Sequence, residues 1–195
     1  KHVKNLQSFG QTVVIAFNKF ATDTDEEIDV LRKHCEEMGC GFAVNSAFAE
    51  GGKGAMELAE LVVKTIDEHP SAPLYFTYDD DEPVEKKIED VAFNLYGAGS
   101  VTLSDSAKAM IEEIKKLGAE KFPICIAKTQ YSFSTDAKAY GPTEGFELHV
   151  RDITVNMGAE MIVVIAGPIM RMPGLPKSPQ AERIDVVNGE ITGLS

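Results

Sequence analysis

Two aromatic side chains follow two neighbouring apolar runs of the sequence. Phe20 lies in "NKFATDT" and Phe48 lies in "AFAEGGKGAME", and each segment comes directly after a run typical of a buried strand. Offset stacking of flat rings contributes ~0.5–1.5 kcal/mol beyond simple burial. Two rings at the ends of adjacent strands therefore predict a slot for a planar ligand. The alternative, that each ring only packs against the helix that follows it, stays open at this point.

The glycine run beside Phe48 resembles a phosphate-binding loop only superficially. Such a loop requires a Ser or Thr directly after its lysine to hold magnesium, and here Lys53 is followed by Gly54. A nucleotide loop is therefore rejected. An anion site at a helix N-terminus and a plain tight turn both remain open. The "NKFA" segment likewise lacks the aspartate of a guanine-reading N-K-x-D motif, because Ala21 occupies that position.

No set of residues predicts a catalytic acid, a catalytic base or a metal site. The loop "AKTQYSFS" (127–134) is rich in hydroxyl and amide groups, and "MPGLP" (172–176) is apolar and rigid, but neither supplies a nucleophile with a base. The three cysteines are Cys35, Cys40 and Cys125, and they lack a zinc spacing. The four histidines are scattered along the chain.

Composition narrows the possible partners. The 195 residues carry 19 basic and 31 acidic side chains, which gives a net charge of −12. A nucleic-acid surface needs clustered Lys and Arg, so neither nucleic acid nor an anionic membrane is expected as a partner. No run approaches the ~18 apolar residues of a membrane span, and we expect a cytoplasmic protein. The first residue is Lys, which suggests a fragment of a longer chain.

The elements that must position Phe20 and Phe48 form a strand–helix alternation. Strands are predicted at 12–17, 41–45 and 74–78, with a helix capped by Thr24 and Glu27 and a second helix over 55–68. This alternation is typical of an open parallel sheet with flanking helices. Ligands bind such sheets beyond the carboxyl ends of the strands. Segments 18–24 and 46–54 should therefore line one edge.

The second half has a different pattern. A capped helix from Ser104, strands at 123–127 and 161–167, alternation over 145–155 and a hairpin at Asn188–Gly189 predict a smaller α+β unit with a mixed or antiparallel sheet. The run "GAGS" (97–100) interrupts the periodicity. We therefore predict an α/β domain over 1–97 and an α+β domain over 98–195.

The chain resembles the C-terminal portion of the formate–tetrahydrofolate ligase family along its whole length. The resemblance is carried by "VVIAFNKFATDTDEEI", "AFAEGGKGAMELA", "KIEDVAFNLYGA", "FPICIAKTQYSFS", "MRMPGLPKSPQAERIDV" and "GEITGLS". It implies an enzyme that uses ATP and Mg²⁺ to form formyl phosphate from formate and then 10-formyltetrahydrofolate. It also implies a tetramer, help from a monovalent cation, and a half-barrel for the second domain.

The resemblance also implies roles for individual residues. The family stacks the pterin of tetrahydrofolate between a Phe and a Trp, and the matching positions here are Phe20 and Phe48. Asn18, Gly51 and Gly52 would edge the same pocket. This chain has no Trp, so one wall is smaller, and the family's phosphate loop is not in it. We therefore expect folate-side walls and no activity from this piece alone. The alternative is a non-catalytic assembly fragment.

Overall fold

The computed structural model describes residues 1–169 and 177–193, in which helices and strands alternate. The helices are α1 His2–Ser8, α2 Asp25–Glu37, α3 Ala47–Glu50, α4 Met56–Glu68, α5 Val84–Asp90 and α6 Asp105–Leu117. The strands are β1 Val14–Asn18, β2 Gly41–Asn45, β3 Ser100–Leu103, β4 Ile124–Ala127, β5 Glu147–Val150, β6 Asp152–Asn156, β7 Met161–Ile165, β8 Asp185–Val187 and β9 Glu190–Thr192. Within these ranges, no helix combines the length and apolar character needed to cross a bilayer.

The chain is α/β, with small parallel and mixed sheets flanked by helices. β1 pairs with β2, and β3 with β5, in parallel. β4, β7 and β6 form a three-stranded sheet in which β4–β7 is parallel and β6–β7 is antiparallel. The predicted α/β class, with parallel and mixed sheets flanked by helices, is confirmed.

Residues 1–69, here called the β1–β2 unit, are thinly packed. The capping box of α2 is present: the Thr24 hydroxyl accepts the Glu27 N–H, and the Glu27 carboxylate accepts the Thr24 N–H. α2 contributes Ile28 and Cys35 to the interior, while Leu31 is 41% exposed. Two parallel strands bury little surface, so the buried cluster here contains only Val13, Cys35 and Cys40.

The apolar residues of α4 do not all point inward. Leu61 packs against Gly41 of β2. Met56, Val63 and Ile66, which share the apolar face read from the sequence, are 57%, 60% and 62% exposed. A helix lying on a two-stranded sheet has only one narrow side to bury, because no further strand extends beneath it.

The strand predicted at 74–78 is wrong, since the segment is irregular. The backbone of residues 72–75 bonds the loop before β1. The Ala72 N–H donates to the Gly10 carbonyl oxygen at 2.9 Å, and the Tyr75 N–H donates to the Phe9 carbonyl oxygen at 3.1 Å. These two bonds pair backbone groups of the segment without the regular hydrogen-bond ladder of a β-sheet. The β-branched and aromatic composition suited a strand, but no strand within 1–169 and 177–193 pairs with it.

Residues 84–169, here called the β3–β7 unit, hold the main core. Fourteen buried residues form one cluster there, with Ile88 of α5, Ile111 and Ile114 of α6, and Leu148 and Ile162 of the strands among the most enclosed. The alternation predicted over β5 is confirmed, because Leu148 and Val150 are buried and their neighbours are exposed. α5 thus packs with the second half of the chain.

Two turns with positive φ angles follow α5 and join the last two strands. α5 continues as a π-helical turn, Val91–Tyr96, which ends at Gly97 with φ +83°. The Asn188–Gly189 hairpin between β8 and β9 is confirmed, with φ values of +55° and +87°. Positive φ at both positions is the signature of a type I′ turn. The predicted "MPGLP" loop lies outside the described residues.

Candidate functional site

The first predicted loop begins where β1 ends. Asn18 is the last residue of β1 and is exposed. The Phe20 N–H donates to Oδ2 of Asp23 at 2.7 Å, which closes a tight turn around the ring-bearing residue. The Phe20 side chain is 68% exposed. Its ring therefore stands at the strand edge rather than in the core.

The second predicted loop is helical rather than irregular. After β2, Ala47–Glu50 forms the short helix α3, and Gly51–Ala55 forms a 3₁₀ turn. Gly51 has φ +60°, and a Cβ at Gly54 would stand 2.5 Å from the Ser46 carbonyl carbon. These two glycines are thus required by the backbone. Phe48 lies in α3 and is fully exposed.

The strand register places the two loops side by side. β1 and β2 are parallel, with Asn18 opposite Asn45, so both chains leave the sheet at the same edge. Neighbouring strands lie ~4.8 Å apart, and the loops therefore start within one strand spacing of each other. The Phe20 and Phe48 rings form no aromatic pair with each other; in this unit the stacked pair is Phe17–Phe42, with centroids 6.2 Å apart.

Side-chain hydrogen bonds at this edge involve two residues that the sequence reading missed. Asn45 Nδ2 donates to Asn18 Oδ1 at 2.9 Å, and Asn45 Oδ1 accepts the Ala47 N–H at 3.2 Å. Asp23 holds the Phe20 turn. The available signal was the pair of asparagines ending two successive apolar runs, but only the strand register shows that they face each other.

The glycine run does not fit ATP or Mg²⁺. Gly51–Gly54 sit in a 3₁₀ turn, and the Gly51 N–H already donates to the Ala47 carbonyl oxygen. Gly54 follows Lys53 where a magnesium-binding hydroxyl would be needed. In the ranges 1–169 and 177–193, no group of three His, Cys, Asp or Glu side chains is arranged to hold a metal ion. No step of ATP chemistry is therefore assigned to these residues.

A well-formed cavity lies away from this strand edge. It has a volume of about 1120 Å³ and is lined by Phe9, Pro123 and residues 74–81. None of the five predicted site residues lines it. We place the candidate site at the strand edge nevertheless, because both exposed rings follow the carboxyl ends of the paired strands β1 and β2.

The "AKTQYSFS" loop is tied together internally. Lys128 Nζ donates to the Ser132 carbonyl oxygen and lies 4.6 Å from the centroid of the Tyr96 ring. Burial lowers the pKa of Lys128 below its ordinary value and raises that of Tyr96. The Ser132 hydroxyl donates to the Ala139 carbonyl oxygen at 2.7 Å. These groups are used in holding the loop, and none is paired as a nucleophile with a base.

The fold and the exposed loop edge define an α/β protein that presents side chains at the carboxyl ends of parallel strands. The profile of the family described as formate–tetrahydrofolate ligase matches residues 1–195, and the chain belongs to this family.

Relatives with this description cover the whole chain. The formate–tetrahydrofolate ligases of Phocaeicola vulgatus, Bacteroides fragilis and Porphyromonas gingivalis are 64%, 62% and 55% identical to it over 195 residues. In each case the match covers 100% of this chain and 35% of the relative. The chain thus spans about a third of the length of these relatives.

Proposed function

We propose that this chain supplies the tetrahydrofolate-binding walls of an ATP-dependent formate–tetrahydrofolate ligase. Phe20 and Phe48 bracket the pterin ring, while Asn18 and the Gly51–Gly52 backbone edge the pocket. The observation that carries the proposal is the β1–β2 register, because it brings two exposed phenyl rings to one sheet edge. The rings need no rearrangement of a core to meet a flat ligand.

The proposed role of the chain is positioning. Holding an amine of tetrahydrofolate against a reactive acyl phosphate converts an encounter between two molecules into a step within one complex. ATP, Mg²⁺, any monovalent cation and formyl phosphate would be bound by other parts of a longer, tetrameric, cytoplasmic enzyme. The predicted division into domains 1–97 and 98–195, the second a half-barrel, belongs to the same proposal, although α5 before residue 97 packs into the core of the β3–β7 unit. The chain alone would be inactive.

The direct test is Phe48→Ala in a full-length ligase that carries this segment. Losing one stacking wall should raise the KM for tetrahydrofolate about tenfold, which corresponds to ~1.4 kcal/mol. The KM for ATP should stay within about twofold on the same reasoning. Phe76→Ala is the matched control, because Phe76 is 80% exposed but lines the large cavity instead. An unchanged KM for tetrahydrofolate, or an equal rise for ATP, would remove the stacking role.

A second candidate function is assembly without chemistry. The observation in its favour is the exposed apolar face of α4, formed by Met56, Val63 and Ile66. Sedimentation of the isolated chain tests for assembly. An assay of formate-dependent ADP release tests whether the chain alone is catalytic. We expect no ADP release from the chain alone. Release at the rate of a full-length ligase would show that the division of labour proposed here is mistaken.

A further inference from the structure

Asn45 connects both candidate loops through three hydrogen bonds. Its carbonyl oxygen accepts the Lys19 N–H at 3.0 Å, which anchors the start of the first loop. Its side-chain Oδ1 accepts the Ala47 N–H at 3.2 Å, one residue before Phe48. Its Nδ2 donates to Asn18 Oδ1 at 2.9 Å. No other residue in the described parts of the chain bonds both loops in this way.

The direction of these bonds follows from elementary chemistry. A backbone N–H can only donate, so the atom of Asn45 that faces Ala47 must be its oxygen. The amide nitrogen of Asn45 then faces Asn18 and can only donate. Asn18 must therefore present its oxygen to Asn45. Both amide orientations are thus fixed by a backbone group, which is the kind of network argument that assigns side-chain amides.

The orientation of Asn18 has a consequence at the pocket edge. Since its Oδ1 is engaged by Asn45, the Asn18 Nδ2 group is directed away from Asn45. Its two N–H donors have no partner among residues 1–169 and 177–193. Asn18 ends β1 and is exposed, between the loops that carry Phe20 and Phe48. A ligand between the rings would meet a hydrogen-bond donor at this edge.

We propose that Asn45 is a positioning residue that fixes Asn18 as a donor and so selects ligands with an acceptor at their edge. The acceptor would be a carbonyl oxygen or an unprotonated ring nitrogen of a planar heterocycle. This inference rests on the proposed folate-binding role of the strand edge. It adds a rule of specificity to that role. The two rings select ligands that are planar, and the two asparagines select ligands that present a hydrogen-bond acceptor rather than a donor.

The test reverses the polarity with one isosteric change. In Asn45→Asp, the carboxylate still accepts the Ala47 N–H, so the start of α3 is kept. The carboxylate cannot donate, and Asn18 must turn its amide to donate toward it. Asn18 then presents its Oδ1, an acceptor, to the acceptor group of the ligand, and no hydrogen bond can form between them. The KM for tetrahydrofolate in a full-length ligase should rise about tenfold or more, because an unmatched polar contact is costlier than a lost one.

Two further variants separate polarity from charge and from folding. Ser46→Asp adds the same charge one residue later and leaves the asparagine pair intact, so the KM should change by less than about twofold. Asn45→Ser can still accept the Ala47 N–H but cannot fix Asn18, and a rise of about threefold is expected from the freed amide. The melting temperature of each variant and its KM for ATP serve as readouts that only a structural fault would move.

The outcomes decide between the two proposals. A large rise in the KM for tetrahydrofolate in Asn45→Asp alone supports the polarity rule. Equal rises in Asn45→Asp and Ser46→Asp would show a plain charge effect and overturn it. If Phe48→Ala raises the KM and Asn45→Asp does not, the rule is wrong while folate binding stands. If neither change raises the KM, the folate site itself is misplaced.

Discussion

The β3–β7 unit closes its own core, whereas the β1–β2 unit leaves much of its apolar surface outside. The β3–β7 unit buries fourteen residues in one cluster, including residues of α5, α6 and the three strands β5, β6 and β7. The buried cluster of the β1–β2 unit contains three residues, and side chains such as Ile66 of α4 and Phe48 stay exposed. The candidate ligand edge lies on the thinly packed unit. The proposed binding surface and the structural core are therefore carried by different parts of the chain.

The sharpest test of this contrast is the same substitution in both units. Ile162→Ala in β7 removes a fully buried side chain and should lower the free energy of unfolding by about 2–5 kcal/mol. Ile66→Ala in α4 removes a side chain that is 62% exposed and should change it by no more than ~0.5 kcal/mol. Urea denaturation measures both. Similar losses at the two sites would show that the α4 face is covered in solution.

A buried lysine provides a second test within the β3–β7 unit. Lys87 donates to the carbonyl oxygens of Glu120 at 2.7 Å and Phe122 at 3.3 Å. Lys87→Met should cost about 1–3 kcal/mol of stability, because two carbonyls lose their donor. Lys86→Met on the same helix removes an exposed lysine paired with Asp90 and should cost less than ~1 kcal/mol. Equal effects would deny Lys87 a structural role.

Lys87 also makes the stability of the native protein depend on pH in a definite direction. Burial lowers the pKa of Lys87 from its ordinary 10.5, although the carboxylates of residues 79–82 oppose the shift. Between the two pKa values the unfolded chain holds the proton more tightly than the folded chain. Stability therefore rises with pH across that window in the native protein. The rise should be absent from Lys87→Met when the two are compared by denaturation at each pH.

The smallest expected effect is at the start of α2 in the β1–β2 unit. Thr24→Ala removes the hydroxyl that accepts the Glu27 N–H and should cost about 1 kcal/mol, whereas Thr24→Ser keeps it. The bonds from Thr24 hold the pKa of Glu27 below its ordinary value. The stability linked to Glu27 is thus present above its unfolded pKa and is lost as pH falls through the folded pKa. Thr24→Ala keeps the Thr24 N–H bond to this carboxylate, so the linkage is tested with Glu27→Gln, which cannot titrate. An acid transition identical in Glu27→Gln would contradict the linkage.

Local chemistry made much of this fold predictable. The β-branched runs of β1 and β2, the Thr24–Glu27 cap and the Asn–Gly turn each specify their structure within a few residues. The segment 74–78 was misread because strand formation depends on a partner that a local pattern does not reveal. The folate role of Phe20 and Phe48 stays a prediction. Asn45 was missed because its importance lies in the residue opposite, 27 positions away in sequence.

The π-helical turn at Val91–Tyr96 makes chain length there matter more than residue identity. A π turn takes up an extra residue relative to an α-helix, and each α-helical residue advances the chain by ~100°. The Tyr96 ring lies 4.6 Å from the Lys128 ammonium, and deleting the extra residue is expected to rotate Tyr96 by ~100° away from it. When relatives are aligned, a gap between positions 91 and 96 would therefore signal a rebuilt neighbourhood, while a conservative exchange of side chains would not.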